Sequence, residues 1–147
     1  MATDPKLIRK FECFRQLTDE QVEEIAEISN SICYPAGHVL VEEGERGEIL
    51  YLLIEGDIDV FYRNPETDLE KVDTVSSEEV IGCSAIVPPY VYSATEKTLS
   101  EVEVLEIKTE ALRNIIQEDP DLGLKIQEHI IKILSDRIID LRQRTFS

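Results

Sequence analysis

Residues 80–99 read VIGCSAIVPPYVYSATEKTL, with two runs of small residues, GCSA and YSAT, on either side of a proline pair. Small side chains let a ligand come close to the backbone, and consecutive amide N–H groups in such a loop attract anions. Gly82, Cys83, Ser84, Ala85, Tyr92, Ser93, Ala94 and Thr95 are therefore the candidate ligand-pocket positions. The serines and Thr95 bring hydroxyls, Tyr92 a ring face and a phenol, and Cys83 a thiol. The chemistry on offer is hydrogen bonding to a small molecule. No arginine lies in the stretch, and its one lysine, Lys97, follows the second run.

Other chemistries find less support. Cys13, Cys33 and Cys83 are odd in number and widely spaced, which fits neither a disulfide framework nor a zinc site and implies reduced thiols. His38 and His129 stand alone, so no metal is expected. A thiol-based redox switch at Cys83 is an alternative, since a helix N-terminus favours thiolate. No histidine lies near it in sequence to act as a base, and a small, unreactive cysteine is the favoured reading. The chain is accordingly read as non-enzymatic.

The elements that must hold this stretch follow from composition and period. The chain has 147 residues, of which 42% are hydrophobic and 31% charged, enough for one domain with its own core. Its formal net charge of −16 repels phosphate backbones and anionic lipid, which argues against nucleic-acid and membrane partners. The N-terminus, MATDPKLIRK, lacks the apolar core of a signal peptide, so a cytoplasmic location is expected.

Residues 1–30 read as two short helices, the second opened by a capping box of Thr18 and Gln21. From residue 31 to residue 108, Gly37, Gly44, Gly47 and Gly56 punctuate short runs that alternate with period two, such as Val39 and Val41 or Ile58 and Val60. Asn64-Pro65 opens a loop, residues 71–75 return as a strand, and VEVLEI alternates again. Many short strands with turn signals predict a sandwich, roll or barrel. Residues 109–147 become helical, with one helix ending at Pro120 and a longer one opening at Asp121. There Ile131, Leu134, Ile138 and Leu141 recur by three and four, a stripe suited to pairing with a second copy.

The segment PAGHVLVEEGERGEILYLLIEGDIDVFY resembles the signature of the cyclic-nucleotide-binding domain, the ligand-sensing β-roll of catabolite activators and kinase regulatory subunits. Pro35, Gly37, Leu40, Glu43, Gly44, Gly47, Tyr51, Gly56 and Val60 fall where that pattern asks. The resemblance covers nearly the whole chain. It implies a mainly β fold with flanking helices (α+β), a double-stranded, jelly-roll-like β-roll with N-terminal helices and a long C-terminal helix.

In that family the phosphate cassette resembles F-G-E-[LI]-A-L, a short loop, then P-R-[ST]-A. A short helix offers backbone N–H groups to the cyclic phosphate, the glutamate takes the ribose hydroxyl, and the arginine pairs with the anion. Here IGCSAI and YSATEKT align with the two halves, but Cys83 stands at the glutamate position and Tyr92 at the arginine position. Losing the guanidinium forfeits about 1.5–3 kcal/mol, or about ten- to a hundredfold in affinity.

The expected function is a regulatory module whose pocket binds a non-standard small ligand, or none because Tyr92 fills it, and which acts through oligomerisation or a protein partner. Genuine cyclic AMP or cyclic GMP binding is the alternative, and no resident cofactor is expected. The family's transcription factors continue into a DNA-reading domain; none is expected within this sequence, which ends at RQRTFS.

Overall fold

Asp4 accepts the Lys6 N–H and Pro5 supplies a helix-compatible φ, so the chain opens with a one-turn helix, α1 (Pro5–Ile8). In the computed structural model, which describes residues 3–146, a 3-10 turn (Glu12–Phe14) leads to α2 (Asp19–Glu27). Both halves of the expected capping box are formed. Gln21 N–H donates to Thr18 Oγ1 at 3.2 Å, and Thr18 N–H donates to Gln21 Oε1 at 3.0 Å.

The glycine-punctuated segment forms β1 (Ser29–Tyr34), β2 (Val39–Val41), β3 (Ile49–Glu55), β4 (Ile58–Asn64), β5 (Asp68–Val75), β6 (Val80–Ile81), β7 (Thr95–Thr98) and β8 (Val102–Lys108). These make two four-stranded sheets, β1-β8-β3-β6 and β2-β7-β4-β5, antiparallel throughout. The roll with flanking helices is thus the observed architecture. Period-two alternation divides β3 between two cores. Tyr51 and Leu53 pack with Val60, Val75 and Val104, whereas Leu50 and Leu52 pack with Phe11, Phe14, Ile25 and Leu112 from the helical segments.

Two boundaries differ from the sequence reading. The loop at Asn64-Pro65 is a tight turn, because Asn64 accepts the Glu66 N–H and pairs with Asp68 across the ladder; β5 therefore begins at Asp68 rather than at residue 71. Pro120 ends α3 (Thr109–Glu118) and is itself the first residue of α4 (Pro120–Phe146), where its missing N–H has no helical partner to lose. Gln21 Nε2 donates to Asp119 at 3.0 Å and to Asp121 at 3.1 Å, tying α2 to this corner.

α4 buries Leu122, Gly123, Ile126 and Ile130 and is largely exposed beyond them. That second half stands over the stretch from Gly82 to Ala94. No helix among the described residues is long and apolar enough to cross a membrane.

Candidate functional site

β6 ends at Ile81, and Gly82, with φ +81°, turns the chain in the left-handed region that a Cβ disfavours. A 3-10 helix, Cys83–Ile86, follows. It sits against Gly47 so closely that a Cβ there would lie 2.4 Å from the Ala85 Cβ. Arg113 of α3 stacks over Tyr90 at 5.0 Å and donates to the Ala85 carbonyl at 3.5 Å. The two halves of the stretch are then joined directly, as Ser93 N–H donates to Ser84 Oγ at 3.1 Å.

Between this turn, the inner face of β4, β5 and β7, and α4 lies a cavity of about 520 Å³. Gly82, Cys83, Ser84, Ser93 and Ala94 line it. Ala85, Tyr92 and Thr95 do not, although the sequence places them among the pocket positions. Ala85 is fully buried on the side of the 3-10 helix that packs against Gly47, and Thr95 turns its hydroxyl to the Glu43 N–H at 3.0 Å.

Tyr92 neither fills the cavity nor lines it. It is 7% exposed and packs in the core shared by the two sheets. Its hydroxyl donates to the Ile49 carbonyl at 2.6 Å and accepts the Ile49 N–H at 3.1 Å, so it pins the start of β3. Burial raises its phenol pKa.

Leu134 and Leu141 of α4 line the cavity together with Arg137 and Arg144, whereas Ile131 and Ile138 lie off it and are 63% and 57% exposed. The sequence stripe is therefore two adjacent strips on one helix. Among the cavity residues that the sequence reading does not place there, Glu96 and Arg137 carry the chemistry. Glu96 of β7 is 8% exposed, and burial pushes its carboxyl up to about 7, with Glu79 adding to the rise and Arg137 and the Gly82 amide opposing it. Arg137 approaches from the other wall. Ala94 and Glu96 share one parity in sequence, and Arg137 is spaced three and four from Leu134 and Leu141; these are the signals that could find them.

Cys83 points into the fold, with its thiol 3.8 Å from the Val80 carbonyl, and burial pushes it up to about 11. It is protonated at neutral pH, and a four-residue 3-10 helix offers little dipole to change that. Neither histidine lines the cavity. Among the described residues no group of three or more histidine, cysteine or acidic side chains is arranged to hold a metal ion. What the arrangement offers is recognition: small residues, hydroxyls, one buried carboxyl and apolar walls.

A two-sheet roll whose glycine turn and long helix border a cavity is an architecture able to hold a small ligand. The family model described as "Cyclic nucleotide-binding domain" matches residues 31–119, and the chain belongs to that family. The CRP-like cAMP-activated global transcriptional regulator of Mycobacterium tuberculosis is 27% identical over 105 residues, 71% of this chain and 45% of that protein. The cAMP-activated global transcriptional regulator CRP of Pasteurella multocida is 26% identical over 104 residues, 70% of this chain and 50% of that protein. The chain spans about half the length of these curated relatives. A putative cyclic nucleotide-binding protein from Geobacter metallireducens superposes with a TM-score of 0.82 at 28% identity, covering 92% of this chain and 98% of that one. The catabolite activator protein of Thermus thermophilus superposes at 0.75 with 19% identity, covering 91% and 63%.

Proposed function

We propose that this domain is a non-catalytic regulatory module whose cavity takes a small ligand other than a cyclic nucleotide and whose second half of α4 pairs with another copy. The observation that carries the reading is Tyr92. At the position where the family resemblance puts an arginine, it is buried, bonded to β3 and turned away from an open cavity. The cassette itself has no cation to hold a cyclic phosphate. Its half-buried Cys83, at the glutamate position, has no carboxylate for a ribose hydroxyl.

One observation favours a second reading: Arg137 lines the cavity from α4 and would offer a guanidinium to a cyclic phosphate from the opposite wall. Isothermal titration with cyclic AMP and cyclic GMP separates the two. The first reading expects no binding in the micromolar range. Micromolar binding that is lost in Arg137→Ala overturns it in favour of the second.

A further inference from the structure

Glu96 is the one charged side chain buried in the cavity wall among the described residues; Asp73, Arg137, Asp140 and Arg144 are all exposed. An ionised carboxylate has roughly four acceptor sites. Glu96 has the Gly82 amide and no salt bridge: Arg137 acts on it across the cavity without closing an ion pair, and Arg144 is bonded to Asp140 at 3.0 Å. A deeply buried carboxyl with so little protein around it to bond, facing a cavity of about 520 Å³, is a mark of a binding site.

Charge decides what fits. An anion entering the cavity meets Glu96, and Glu79 adds to the negative field there. A cationic or amidine-type group meets an acceptor for two parallel N–H···O bonds. The other walls are largely apolar, with Val60, Val75, Ile130 and Leu134 among them.

We propose that the cavity selects an organic cation or amidine-bearing ligand, its N–H groups donating to the Glu96 carboxylate and its apolar body lying against Val60, Val75 and Leu134. This rests on the reading that the cavity takes a ligand other than a cyclic nucleotide. Arg137 at the mouth then faces the ligand's outer end and favours an acceptor there. Burial brings the Glu96 carboxyl up to about 7, with Arg137 from α4 and the Gly82 backbone opposing the rise and Glu79 ahead of β6 adding to it; the Cys83 thiol and the Tyr92 phenol, both raised in part by Glu96, stay neutral in this range. Affinity for a cation therefore rises as pH rises.

Benzamidine and benzoate, similar in size and shape and opposite in charge, test the proposal when titrated into the full chain under NMR observation. Benzamidine is expected to move the resonances of Ser84, Ala94 and Leu134, and benzoate to leave them in place. Glu96→Gln, whose amide map reports whether the fold is kept, should weaken benzamidine about tenfold or more. Between about pH 6 and about pH 8 the wild-type affinity should climb while that of Glu96→Gln stays flat. Glu96→Asp should keep the preference for the cation. Equal binding of benzoate, binding of neither probe, or no effect of Glu96→Gln overturns the proposal. Micromolar cyclic AMP binding overturns instead the functional reading beneath it, so the two failures are distinguishable.

Discussion

At the residue scale, Glu96 makes the domain's stability depend on pH in an unusual direction. A carboxyl normally near 4.5 that is pushed up to about 7 in the fold keeps a proton that the unfolded chain has released. Stability therefore falls as pH rises from about 4.5 to about 7, and then levels off. Glu96→Gln removes that penalty, so in urea unfolding it should exceed the wild type above neutrality by on the order of 2–3 kcal/mol. The gap should close towards pH 4.5; a gap independent of pH would show that Glu96 does not titrate in this range. Much of the cassette is legible in the sequence, since Cys83 and Tyr92 depart from a known pattern at known places. The destination of Tyr92 is not, because it depends on the Ile49 backbone, distant along the chain. Glu96 is overlooked for a different reason: a glutamate in TEKT reads as a solvated strand residue until the register pairs it with Val60.

At the element scale, the 3-10 helix Cys83–Ile86 owes its position to a missing side chain. Gly47 lets Ala85 approach to a distance that a methyl group would forbid, and Gly47 N–H donates to the Tyr90 carbonyl at 2.8 Å from the same place. Gly47→Ala is expected to lift that helix and the loop after it, costing roughly 1–3 kcal/mol in thermal or urea unfolding. The largest amide shifts should fall between Gly82 and Tyr92. A variant with wild-type stability and an unchanged amide map would show that the close approach is not what seats the helix. The strands and helices themselves are largely legible, because alternation in Ile58 and Val60 and the Thr18–Gln21 cap are local codes. Their ends are less so: Asn64 and Pro120 read as breaks, and in three dimensions one is the hinge of a tight turn and the other the first residue of a helix. Both roles depend on what the neighbouring element does.

At the scale of the whole molecule, the second half of α4 carries two strips with different surroundings. Leu134 and Leu141 face the cavity, while Ile131 and Ile138 are exposed beside them and suit a second copy of the helix. Ile138→Glu should give monomers in sedimentation equilibrium while leaving the cavity lining intact. An unchanged mass would place any interface elsewhere. Since each chain carries a formal charge of −16, the pairing should strengthen as salt screens the repulsion. The margin of the second sheet bears on what form such pairing takes. β5 is one of its two edges, and it exposes Asp68, Glu70, Lys71 and Asp73, so a foreign strand laid alongside would meet a row of hydrated charges before any ladder could close. Growth by strand addition is discouraged on that side. Contact confined to a helix strip is self-complementary under a two-fold axis, and association of that kind ends at two copies instead of running on into a fibre.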